Sequence, residues 1–120
     1  MKRDLQLIRK LLLFIEDKSN GSEPIRGNIP IEDYTEQQIH YHLGLLTSAG
    51  LIKAIGANRG DMVIYLPITL TWDGHEFLDA ARNETIWKKT MSKIGEVTES
   101  IAIPLLKELL LSEIRSRLSP

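Results

Sequence analysis

The sequence predicts an α+β domain on three observations: a short helix with both ends written into the chain, two β-forming runs around a tight turn directly after it, and leucine-rich helical stretches towards both termini. The helix spans residues 35–49. Thr35 can cap it and Gln38, three residues on, can reach back to complete a capping box, while Gly50 can take the left-handed conformation that stops a helix. Its apolar positions Ile39, Leu43, Leu46 and Ala49 form one stripe, leaving Gln37, Gln38, Tyr41, Gly44, Leu45 and Ser48 turned away from it.

From the N-terminus, residues 3–17 read as a core helix, since Leu5, Ile8, Leu12 and Ile15 recur at helical spacing, Leu11 widens the face, and neither Gly nor Pro interrupts. Arg3, Arg9, Lys10 and Glu16 are expected on its solvated side. Lys18 to Pro24 is a loop by composition, and Ile25 to Ile31 alternates as a short edge strand would, with Pro30 arguing against a central position. Gly21, Pro24, Gly27 and Pro30 leave no room for a helix between Asp17 and Tyr34.

Beyond Gly50, residues 51–56 and 62–66 are rich in β-formers and flank Asn58-Arg59-Gly60-Asp61, so they read as a hairpin that Pro67 should end or mark as an edge. A further helix begins with Thr71 or Asp73 as cap, Asp73 and Glu76 offering a second capping box, and it buries Phe77, Leu78 and Ala81. Asn83 kinks or restarts it, and Ile86, Trp87, Thr90, Met91 and Ile94 follow as a separate face ending at Gly95. The last helix is expected over 104–118, with Pro104 in its first position and Arg115 and Arg117 at its end. Its leucines exceed one docking stripe: if the core takes Leu106, Leu109 and Leu110, then Leu111, Ile114 and Leu118 remain as a candidate homodimer surface, the bland alternative being a helix sunk in a deep groove. Residues 1–100 thus form the main unit, and 101–120 a helical extension of the same domain.

The run His42-Leu43, Leu46, Ala49-Gly50-Leu51-Ile52, followed by the hairpin and by Leu70-Thr71-Trp72-Asp73-Gly74, resembles the recognition helix, wing and following helix of winged helix-turn-helix proteins. The opening Met1-Lys2-Arg3-Asp4-Leu5 with Leu7-Ile8-Arg9, and the segment from Trp72 to Arg82, are similar to a family of small bacterial and prophage proteins catalogued as a domain of unknown function. The first resemblance implies a winged helix with a β-hairpin wing and a C-terminal helical extension, acting as a transcriptional regulator that binds double-stranded DNA, often as a dimer. The helix that usually braces the recognition helix is shortened or absent here.

Composition narrows the chemistry. With no cysteine, thiolate metal sites and disulfides are excluded, and no apolar run is long enough to span a bilayer, so a cytoplasmic protein is expected. His40 and His42 would point about 200° apart on a helix and cannot share one metal, and His75 has no companion. His42 is expected to pack and hydrogen-bond at the helix–hairpin junction. No nucleophile is paired with a base and no glycine-rich phosphate loop opens a helix, so neither an enzyme nor a cofactor is expected. The formal net charge of −1 means that any DNA-binding surface must be local. Gln37 and Gln38 could read base edges, Tyr41 a phosphate or thymine methyl, and Lys53, Asn58 and Arg59 could supply the hairpin's contacts. The alternative is a protein-interaction module without DNA binding. A positive band joining Arg59, Lys53 and Lys2-Arg3 would favour DNA, and a neutral exposed helix a protein partner.

Overall fold

The computed structural model describes residues 1–95 and 101–118. Helix α1 (Leu5–Lys18) starts directly after Asp4, whose carboxylate accepts the Leu7 N–H as N-cap and also the Tyr34 hydroxyl. It is the core helix: Leu5, Leu7, Ile8, Leu11, Leu12 and Ile15 are all buried, and it packs on the second and third helices and the hairpin. Arg3 lies outside the helix and donates to the Ile101 carbonyl. Arg9 corrects the expectation of a solvated side chain, being only 7% exposed. Its guanidinium lies over the Trp87 ring, donates to the carbonyls of Ala81 and Arg82, and pairs with Glu84. Helical spacing could not reveal this, because the acceptors are main-chain groups more than 70 residues away.

No helix or strand forms between residues 19 and 35. The edge strand expected over 25–31 is reduced to one ladder-like bond, Ile25 N–H to the Pro67 carbonyl at 2.8 Å. The chain turns at Gly27, with φ of 91°, and Ile31 folds back onto the Ile29 carbonyl, so it cannot run extended alongside its neighbour.

Helix α2 (Glu36–Ser48) carries both expected ends. Thr35 Oγ1 accepts the Gln38 N–H while Gln38 Oε1 accepts the Thr35 N–H. At the other end Gly50 has φ of 76°, with Leu51 N–H bonding the Leu46 carbonyl and Gly50 N–H the Thr47 carbonyl, the pair of bonds that defines a Schellman stop. Nothing crowds a side chain at Gly50, so only backbone strain opposes substitution. Gly50→Val is therefore expected to cost about 1–2 kcal/mol in urea unfolding, and an unchanged midpoint would contradict this stop.

Strands β1 (Ile52–Arg59) and β2 (Met62–Leu70) form an antiparallel hairpin closed by Gly60 and Asp61, with positive φ at Gly60 alone, as a type II′ turn requires. Of the two roles expected of Pro67, it marks an edge and does not end the ladder: pairing continues to Ile52–Leu70. The strand tolerates Pro67 because it pairs beside a bulge at Ile68 and sits on the outer edge, where its missing N–H costs no bond to β1.

Helix α3 (Trp72–Ala81) is capped by Thr71 and not by Asp73. Thr71 also donates its hydroxyl to the Gly50 carbonyl and its N–H to the Leu51 carbonyl, so the start of α3 is stitched onto the stop of α2. Asn83 restarts the chain as α4 (Glu84–Ile94), which ends at Gly95 with φ of 60°. Helix α5 (Ile103–Leu118) packs on α3 and α4, with Pro104 in its second position. Its leucines divide differently from the expectation. Leu106 and Leu110 are fully buried, but Leu109 faces solvent, and Leu111 and Ile114 are half-buried against the core. Two of the three residues assigned to a dimer stripe are thus partly used inside the protomer. The free apolar side of α5 is Leu105 and Leu109, and Leu118 is exposed near its end. None of the described helices is long and apolar enough to cross a membrane.

Candidate functional site

The outward side of α2 and the adjoining hairpin form one surface. Besides the Glu36–Arg59 ion pair, two close contacts hold them together. The Tyr65 ring lies so close to Gly44 that a Cβ there would be 3.1 Å from it, and His40 Nδ1 accepts the Tyr65 N–H at 2.9 Å. Gly44 therefore lets β2 approach the helix, and His40 satisfies an edge N–H that would otherwise be left open. The groove between them is about 370 Å³ and is lined by Gln37, Tyr41, Leu45, Ser48, Met62 and Val63 among others. Tyr41 is 43% exposed and Val63 46%, so the groove presents apolar surface to solvent.

The six positions expected to contact DNA do not form one patch. Gln37 and Tyr41 line the groove. Asn58 is exposed opposite Val63 near the turn. Arg59 is ion-paired with Glu36 and borders a different cleft, beside Ile25, Gly27 and Ile29. Lys53 is exposed near the base of β1, six residues and roughly 20 Å along the strand from Arg59. Gln38 turns towards a cleft with Asp4, Tyr34 and His42, its Oε1 engaged in the cap. A glutamine that reads adenine needs both amide atoms free, so this capping bond removes Gln38 as a base reader in the observed rotamer.

The junction role expected of His42 falls to His40. His42, 1% exposed, joins α2 to the start of α1: Nε2 accepts the Asp4 N–H and Nδ1 faces the Gln38 carbonyl. His40 makes the hairpin junction instead. Since Nδ1 must be unprotonated to accept the Tyr65 N–H, Nε2 carries the proton in the neutral ring and lies 3.9 Å from Glu36. Burial pushes the His40 pKa below its ordinary 6.5, Glu36 opposing and Arg59 assisting. A depressed folded-state value means that the unfolded chain binds the proton more readily, so this contribution to stability is complete above pH 6.5 and is lost as pH falls below it. Melting temperatures from pH 7.5 to 5 should therefore fall more steeply for wild type than for His40→Asn, which offers a non-titrating acceptor; parallel curves would contradict the assignment.

Sequence reasoning missed Trp72, which is 79% exposed at the first turn of α3. A signal was available: over the next two helical turns its neighbours on the same face are His75, Glu76 and Asp79, a polar face on which a tryptophan is out of place. Among the described residues no three His, Cys, Asp or Glu side chains are placed to hold a metal ion.

Comparison with known proteins places this arrangement in a family context. Residues 2–100 match the family model described as "Hypothetical protein (DUF2513)". A Haemophilus influenzae protein described as "Uncharacterized protein" is 34% identical over 111 residues, covering 90% of this chain and 91% of its own length. No solved structure matches. The matched region runs from the N-terminal segment before α1 through the α2–hairpin surface and α4, and the chain belongs to the DUF2513 family.

Proposed function

We propose that this is a winged-helix recognition module whose working surface is the α2–hairpin groove, and that this groove binds a protein partner. The order of elements supports the winged-helix reading: a helix with a Schellman stop, a hairpin packed beside it, and a helix whose threonine cap is stitched to that stop. The charge of the groove carries the choice of partner. Gln37, Tyr41, Leu45, Ser48, Met62 and Val63 bear no charge, Asp61 is negative, and Arg59 is paired with Glu36. Duplex binding draws its affinity from unneutralised cations near phosphates, whereas exposed tyrosine and aliphatic side chains suit a protein contact.

The second reading is a bacterial or prophage DNA-binding regulator acting as a homodimer, favoured by exposed Gln37 and Tyr41 on the helix and by Asn58 near the hairpin turn. One pair of experiments separates the two. Photo-crosslinking groups installed at Tyr41 and Val63 should capture a defined protein in the source cells while a group at exposed Lys88 does not, and selection from random duplexes at moderate salt should recover no motif. A recovered motif, with Arg59→Ala weakening all duplexes and lowering the salt slope by about 1, would replace the protein reading with the DNA reading.

A further inference from the structure

The two edges of the hairpin are treated differently by the fold. The outer edge of β2 is closed: His40 takes the Tyr65 N–H, Ile25 donates to the Pro67 carbonyl, Pro67 has no donor, and Ser19 caps the Ile68 carbonyl. Because Tyr65 and Pro67 direct their main-chain groups outward, their cross-strand partners Gly56 and Ala54 do the same on β1, and the alternation extends this to Asn58. Among the described residues nothing bonds to those groups, and residues 55–59 are all exposed. The stretch from Ala54 to Asn58 contains neither a proline nor a charged side chain, and the irregularity in pairing lies only at its base.

We propose that the outer edge of β1 is a docking site for an extended, acidic segment of a partner protein, added as a third strand. The main chain supplies outward groups at Ala54, Gly56 and Asn58, and the side chains specify what fits. Lys53, Ile55 and Ala57 alternate onto one face, Lys53 forms no ion pair among the described residues, and Ile55 is 48% exposed. A strand laid on this edge would cover Ile55 with an apolar side chain and place a carboxylate opposite Lys53. A second copy of β1 fits worse. The antiparallel register that pairs all three outward positions, centred on Gly56, sets Lys53 against Arg59, and like charges directly opposite destabilise a sheet. This edge of β1 lies opposite the β2 edge that His40 closes, and it does not depend on what the groove binds.

The test uses the full chain and a peptide that reads the same in both directions, Glu-Thr-Val-Thr-Val-Thr-Glu, followed by amide NMR. Shifts should concentrate on residues 53–59. Gly56→Pro deletes an outward donor without removing a bond to β2 and should weaken binding about ten-fold, while Gly56→Ala, which keeps the donor, should bind within about two-fold of wild type. The same peptide with lysine at both ends should bind about ten-fold more weakly at low salt. Should Gly56→Pro not fold, Asn58→Pro removes the next outward donor. Absence of shifts at millimolar peptide, undiminished binding by a folded proline variant, or shifts confined to the Tyr41 and Val63 groove would overturn the proposal. So would concentration-dependent shifts in β1 without peptide, which would identify a second copy as the occupant.

Discussion

Gly74→Ala is expected to be the most damaging single-methyl change in this protein. A Cβ at Gly74 would lie 2.0 Å from the Leu51 carbonyl oxygen and 3.0 Å from its carbon. Both are main-chain atoms, so no side-chain rotation relieves the clash. The same carbonyl accepts the Thr71 N–H at 3.0 Å, and moving α3 away would loosen that bond together with the Thr71 hydroxyl bond to Gly50. Overpacking against such fixed atoms costs about 3 kcal/mol or more, on the order of 10 °C or more in melting temperature for a chain of this size. Thermal unfolding followed by circular dichroism checks this. A variant melting within a degree or two of wild type would show that α3 does not sit on the end of α2. The spacing of threonine and glycine in Leu70-Thr71-Trp72-Asp73-Gly74 thereby acquires a physical reason: the threonine caps and stitches, and the glycine makes room for the carbonyl it stitches to.

Arg9→Ala is expected to cost about 2–4 kcal/mol, read as a lowered midpoint in urea unfolding. The substitution strands the carbonyls of Ala81 and Arg82 at the end of α3, removes the cation from the Trp87 face, and opens a cavity beside a fully buried tryptophan. Arg9→Lys should recover only part of the loss, because an ammonium cannot span two carbonyls, a carboxylate and a ring as the planar guanidinium does. A surface-like response, within about 0.5 kcal/mol, would restore the solvated position that helical spacing alone suggests. Arg82, which follows α3, is held separately by Glu16 and Asp79, and its hydrogen bonds to Glu16 keep that carboxyl below its ordinary range, with burial and Asp79 opposing.

The sequence by itself determined the elements whose signals are local. Thr35 with Gln38, Gly50 with Leu51, Gly60 in the turn, Asn83 and Gly95 each act within a few residues on their own backbone, so their chemistry could be read without knowing what lies across the fold. The same holds for the face that α1 buries, since Leu5, Ile8, Leu11, Leu12 and Ile15 at helical spacing have no alternative place to go. Where a residue's partner is distant, only the tertiary structure decided. Arg9 and Glu16 look alike as charges on one helix, yet one is buried over Trp87 and the other pairs with Arg82 at the surface. His40 and His42 are two residues apart and serve opposite sides of α2, and Gln38 caps the helix while Gln37 faces the groove. Leu109 faces solvent while Leu111 packs inward, because α5 is covered on the sides where α3 and α4 lie. The closed edge of β2 and the open edge of β1 differ for the same reason: the two edges became unequal through what the chain laid beside each of them.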